Sequence, residues 1–267
     1  MFQSIGFLGT GQMGGALAQA AVKGAGGAAV LLANRTPAKA QALADQLGCQ
    51  ATDNQTVAAR CELIFLGVKP QMMAGLLKSI APVLAGRKDR FVLASMAAGL
   101  TARRIQELAG ADYPVIRLMP NTPAEVGAGV IQFCGVDVEP GELKDFQTLL
   151  APAGLVDQVD EGLIDAACAL SGCGPAFCAL LAEALADGAV ACGLPRAKAQ
   201  RYAAQTMEGT ARLMRQTGQH PGVMKDAVCS PGGSTIQGVR VLEEKGFRAA
   251  AMDAVIAAFE KTQALGK

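Results

Sequence analysis

Hydrophobic positions follow two regimes along the chain. Up to about residue 160, short apolar runs alternate with amphipathic stretches. The runs SIGFLG (4–9), AAVLLA (28–33), ELIFLGV (62–68), FVLASM (91–96), PVIRLM (114–119), AGVIQF (128–133) and LVDQV (155–159) have strand length and are bounded by turn residues. The run at 62–68 is almost continuously apolar, as a strand buried on both faces requires. Between the runs, 14–24, 37–48, 72–86, 101–109 and 141–154 carry helical spacing, with Pro37 suited to a first turn and Gly48 to a stop. Strands and helices alternating at this interval predict βαβ units in a doubly wound parallel sheet.

From residue 161 the strand signal stops. The stretches 162–172, 174–193, 195–218 and 245–267 all read as helices, punctuated by Gly193 and Pro195. The predicted domains are therefore 1–160 and 161–267. The helix at 175–192 is apolar around most of its circumference, which a helical domain of this size cannot hide alone. A second subunit is expected to cover it. Glu183 and Asp187 inside that run argue against a membrane span.

Composition narrows the function. Half of the 267 residues are hydrophobic and the net charge is +1, which disfavours a nucleic-acid surface or an anionic-membrane footprint. There is no Trp and there are two Tyr, so base-stacking platforms are poorly supplied. The 8 cysteines include no CxxC pair and the chain has 1 His, so no metal site is expected; small buried thiols in a reducing cytosol are. The start, MFQSIGFLG, lacks a basic leader segment, and a cytoplasmic location is expected.

Chemistry enters at Gly9-Thr10-Gly11-Gln12-Met13-Gly14, a GxGxxG that follows a predicted strand and opens a helix. The first glycine permits a tight turn, the second lets a pyrophosphate approach the backbone, and the third lets helix and strand pack closely. A turn needed only for packing is the competing reading. A strand that binds NAD ends in Asp or Glu to hold the ribose 2′-hydroxyl. Here the second strand ends in Asn34-Arg35-Thr36, a guanidinium and a hydroxyl with no carboxylate, so NADPH is expected, with NADH a weaker alternative. Arg35 as a solvated surface charge is the bland alternative. Later strand ends at 66–71, 95–100 and 118–129 should line the same crevice, and Asn121 and Thr122 offer polar contacts there.

A second cluster, CSPGGSTIQG (229–238), sits among helices. Pro231 and two glycines break one helix, and Ser230, Ser234 and Thr235 add hydroxyls at the start of the next, an arrangement able to bind a carboxylate. Simple N-capping competes with that reading, most strongly for Ser234. SGCGPAF (171–177) is a similar small-residue element, equally explicable as a packing turn. Acid–base groups are scarce: His220 reads more readily as a loop or cap residue, and Lys69 and Lys225 lie in no catalytic motif. A ketone reductase must protonate an alkoxide, whereas an imine can be protonated before hydride arrives. The residues therefore favour imine reduction over a β-hydroxyacid or ketone reductase, and over a nucleotide sensor that does no chemistry.

The segments IGFLGTGQMGGAL, NRT, FLGVKPQ, the MAAG turn, IRLMPNTPAEVGAG, ALSGCGPAF, LADGAVACGLPR and VCSPGGSTIQGVRVLEEKGFR together resemble pyrroline-5-carboxylate reductases, in order and over essentially the whole chain. The resemblance implies an α/β Rossmann-type N-terminal domain followed by an all-α C-terminal dimerisation domain. It implies NADPH-dependent reduction of 1-pyrroline-5-carboxylate to L-proline by a homodimer, and some such enzymes assemble as decamers. It places cofactor contacts on Leu8, Gly9, Thr10, Gly11, Gln12 and Met13, on Asn34, Arg35 and Asn54, on Gly67, Val68, Lys69 and Pro70, and on Ala97, Ala98 and Gly99. Substrate carboxylate contacts fall on Ser230, Gly233, Ser234 and Thr235, with Thr235 and Ser230 the residues nearest the chemistry. Cys173 and Phe177 stand where Ser and Tyr are commoner in the family.

Overall fold

The computed structural model describes residues 1–265. The chain forms two compact units, one comprising Met1–Cys173 with the stretch from Ala258 onward, the other Gly174–Ala257.

The first unit runs β1 (Ile5–Leu8), α1 (Gln12–Ala25), β2 (Val30–Ala33), α2 (Pro37–Leu47), β3 (Gln50–Ala51), α3 (Asn54–Arg60), β4 (Leu63–Leu66), α4 (Pro70–Gly86), β5 (Val92–Ser95), α5 (Ala102–Ala109), β6 (Val115–Met119), β7 (Gly129–Val136), α6 (Pro140–Leu150), β8 (Gly154–Gln158) and α7 (Ile164–Ser171). The sheet order is β3-β2-β1-β4-β5-β6-β7-β8. Its first six strands are parallel and reverse direction of growth at β1, so the crevice at the carboxyl ends of β1 and β4 is the place where such sheets bind ligands.

The uniformly parallel sheet expected from the sequence needs correction at one end. β7 runs antiparallel to β6, and β8 follows β7. The link from β6 to β7 is little more than a 3-10 turn over Thr122–Val126, too short for the dozen-residue crossover that a parallel neighbour demands. β3 and α3 also escape the hydrophobic pattern. α3 has seven residues and is started by a cap rather than an apolar face: Asp53 Oδ1 accepts from Thr56 N at 2.9 Å.

Strand residues alternate between two packed layers. Phe7 and Phe65 stack at 4.4 Å on one face and Phe146 of α6 extends the row, while Ile64 and Leu66 point into the layer beneath α3, α4 and α5. Burying each such side chain contributes about 1.5–3 kcal/mol. α7, expected with the helical half, packs on this unit. Arg117 of β6, nearly inaccessible, pairs with Asp165 at 2.5 Å and lies 3.7 Å from Glu161, and Gln132 Nε2 donates to Ser171 Oγ at 2.6 Å.

The second unit holds α8 (Gly174–Ala191), α9 (Arg196–Thr217), α10 (Pro221–Ala227), α11 (Ser234–Glu244) and most of α12 (Phe247–Leu265). α8 and α9 meet through the small side chains Ala186, Ala199 and Ala203. Ala186 is the single buried residue of α8, and Leu180 is 67% exposed. The stretch Glu161–Ala191 is long and apolar enough to cross a membrane by length and composition alone.

The cysteines divide differently from the expected set of buried thiols. Cys61 and Cys134 are buried, whereas Cys178 and Cys192 are exposed because α8 and its end are largely uncovered. Burial pushes the Cys61 thiol up to about 12, against a downward pull from Arg87, and pushes Cys134 up to about 11. Above pH 9.0 the unfolded chain releases the Cys61 proton while the folded chain keeps it, so its contribution is full below that pH and is lost as pH climbs toward 12. The expected slope is roughly 1 kcal/mol per pH unit from this one group. Denaturant unfolding of the parent and Cys61→Ala on either side of that pH checks it, and a parent slope no steeper than the variant's removes the effect.

Candidate active site

The end of β1 and the start of α1 are built from backbone that tolerates no side chain. Gly9 has φ +107°, and a Cβ there would lie 2.6 Å from the Gly67 carbonyl oxygen. A Cβ on Gly14 would lie 2.2 Å from the Gly9 oxygen, and one on Gly67 2.4 Å from the same atom. The turns after β1 and β4 therefore touch main chain to main chain. At Gly11 a Cβ would meet no protein atom within 4 Å. Gly11 caps α1 without any side-chain hydrogen bond, and the first turn of α1 carries no acidic residue. Its unpaired N–H groups and partial positive charge face open space.

That space is a cavity of about 740 Å³. Of the expected cofactor residues, Leu8, Gly9, Thr10, Gly11, Asn34, Arg35, Asn54, Gly67, Val68 and Lys69 line it. Gln12 and Met13 form the first turn of α1, and Pro70 opens α4. Ala97, Ala98 and Gly99 lie outside the wall, in the turn after β5 at the same edge of the sheet, where Gly99 has φ +77°. Thr10 Oγ1 is buried with no hydrogen-bond partner in the protein, which leaves a donor and acceptor for a ligand. An uncapped helix start, a cradle without Cβ atoms, an orphaned hydroxyl and no carboxylate on the wall together fit a dinucleotide diphosphate.

Asn54 owes its place to Asp53. Hydrogen bonds from the Thr56 N–H and hydroxyl hold the Asp53 carboxyl below its usual range, and that cap fixes the start of α3 at the cavity edge. Sequence reasoning missed part of the wall. Met72, Leu76 and Ser79 of α4 contribute one helical stripe, and Lys39 comes from the first turn of α2. The i, i+4 spacing of the α4 residues was a readable signal.

Asn121, expected as a polar ligand contact, is committed elsewhere. Its Oδ1 accepts from Val130 N at 2.8 Å and its Nδ2 donates to the Ser171 carbonyl at 3.0 Å, so it ties the β6 turn to α7.

In the second unit, Gly233 is the N-cap of α11 and no side chain caps that helix. Ser234 and Thr235 are the first two helical residues, and Ser230, Ser234 and Thr235 are exposed. The chain doubles back through Gly232 at φ +70°, closed by Gly233 N donating to the Ser230 carbonyl at 3.0 Å. Capping therefore does not occupy these hydroxyls. His220 is a cap: its Nδ1 accepts from Gly222 N at 3.1 Å at the start of α10. Lys225 bonds Asp226 at 2.5 Å, which raises its pKa and keeps the amine protonated.

Two family models match the chain in sequence, the C-terminal one beginning ahead of α7. Residues 161–265 match a family model described as pyrroline-5-carboxylate reductase dimerisation, and residues 4–99 match one described as NADP oxidoreductase coenzyme F420-dependent. The pyrroline-5-carboxylate reductase of Escherichia coli is 40% identical over 100% of both chains. The chain belongs to the pyrroline-5-carboxylate reductase family. Another member, from a Synechocystis strain, is 48% identical over 80% of this chain and 79% of its own. Among solved structures, the pyrroline carboxylate reductase of Plasmodium falciparum with NADP bound is 30% identical, with a TM-score of 0.87, over 99% of this chain and 98% of that one. The Rossmann-type first unit and helical second unit are those of pyrroline-5-carboxylate reductases.

Proposed function

We propose that the chain catalyses the NADPH-dependent reduction of 1-pyrroline-5-carboxylate to L-proline, the last step of proline formation. The observation that carries this reading is the free start of α11, with three exposed hydroxyls and unpaired N–H groups gathered around Gly233. Such a site suits the carboxylate of a small imino acid. The dinucleotide is held at the α1 turn by Leu8, Gly9, Thr10, Gly11, Gln12 and Met13, with Asn34, Arg35, Asn54, Gly67, Val68, Lys69 and Pro70 along the wall and Ala97, Ala98 and Gly99 at its edge. When bound, NADPH supplies the hydride.

Ser230, Gly233, Ser234 and Thr235 orient the substrate through its carboxylate, and Ser230 and Thr235 set the position of the C=N bond. The ring nitrogen of such an imine can already carry its proton, so these residues need only hold the C=N carbon towards the nicotinamide face. Because the cationic imine needs no protein acid, the engagement of His220 and Lys225 elsewhere does not block the reaction. The absence of Lys and His from α8 speaks against the β-hydroxyacid alternative.

The active form in this reading is a soluble cytoplasmic homodimer, the unit from which a decamer is also built, with a second copy covering the apolar surface of α8. It involves neither nucleic acid nor a membrane. The test is direct: the purified protein mixed with 1-pyrroline-5-carboxylate should consume NADPH and yield one proline per nicotinamide oxidised. NADPH loss without proline, or no loss at all, removes the assignment.

A further inference from the structure

We propose that Lys39 is a specificity-determining residue that reads the 2′-phosphate of NADPH together with Arg35 and Thr36. The inference rests on the NADPH half of the reading above and goes beyond it to a side chain that the strand-end pattern does not reveal. Lys39 and Arg35 line the same cavity, whose wall carries no carboxylate. Both are exposed, and among the described residues neither forms an ion pair, whereas Arg87, Arg90 and Arg104 each bond a carboxylate within 2.8 Å.

Lys39 also stands at the wrong end of its helix. It lies in the first turn of α2, where the helix dipole disfavours a cation, and no acidic residue in that turn offsets it. Thr36 is the N-cap of α2, yet its hydroxyl makes no capping hydrogen bond. Two unpaired cations, a free hydroxyl and an uncapped helix start thus share one edge of the cavity. The 2′-phosphate of NADPH is an anion that two cations and a hydroxyl can bind, whereas the 2′-hydroxyl of NADH offers no charge for them to meet. Lysine acts there as a point charge beside the planar guanidinium of Arg35.

The test is equilibrium titration of NADPH and NADH, without substrate, into the parent, Lys39→Gln and Lys39→Arg. The preference for NADPH over NADH should fall about tenfold in Lys39→Gln, with the change carried by NADPH, and should stay within about threefold of the parent in Lys39→Arg. Added salt should compress the preference more in the parent than in Lys39→Gln. Equal weakening of both nucleotides, or no change in either, overturns the proposal. If the ratio shifts although no proline is formed, the substrate reading fails and this one stands; if proline is formed and the ratio is unmoved, this one fails alone.

Discussion

Gly14→Ala is expected to weaken NADPH binding by about a hundredfold or more while the chain still folds. The added carbon would lie 2.2 Å from the Gly9 oxygen, and that atom is backbone that cannot swing aside. Relief requires the turn at Thr10 and Gly11 to open, which moves the amides that a diphosphate needs. Losing two charge-assisted hydrogen bonds, at roughly 1.5–3 kcal/mol each, exceeds the 2.7 kcal/mol that a hundredfold represents. A helix gains about 1 kcal/mol when Gly becomes Ala, which is too little to reverse that loss. Gly15→Ala separates the two effects. Its new carbon would meet Leu43 Cδ2 at 3.6 Å, an ordinary contact, so helix propensity acts there alone. Nucleotide titration together with thermal unfolding of both variants decides the matter, and parent-like affinity in Gly14→Ala would show that the turn is not the phosphate cradle.

Thr235→Ala should lower kcat/KM for 1-pyrroline-5-carboxylate by about ten- to hundredfold, with the NADPH dissociation constant changed less than twofold. A hydrogen bond to a charged group is worth about 1.5–3 kcal/mol, and Thr235 carries one of three hydroxyls at the free start of α11. Thr235→Ser should restore most of the loss, because it returns the hydroxyl without the methyl. Gly233→Ala approaches the same site from the backbone: its carbon would lie 2.4 Å from Ser230 Oγ and force that hydroxyl away. Steady-state kinetics with separate nucleotide titration provide the comparison. Losses of equal size for imine and nucleotide would give Thr235 a structural part instead.

Much of the first unit was legible because its strands are buried on both faces and its helices on one, which writes unmistakable patterns into the chain. The reversal at β7 was not, because apolar content says nothing of direction; only the shortness of the link after β6 does. Asn121 misled for a related reason. A polar residue between two prolines reads as an exposed contact, and only the fold reveals the Val130 amide and Ser171 carbonyl that consume it. Lys39 was hidden because a charge on an exposed helix is ordinary until the cavity beside it is seen. The α11 start was legible as a break, yet whether its hydroxyls capped the helix or stood free depended on Gly233, not Ser234, occupying the boundary.

In the proposed homodimer, the single buried residue of α8 makes durability a collective property. A lone subunit would have to wet Leu180, Leu185 and their neighbours, so dilution withdraws a share of the hydrophobic driving force. Resistance to heat then grows with the logarithm of protein concentration rather than being a constant of the chain.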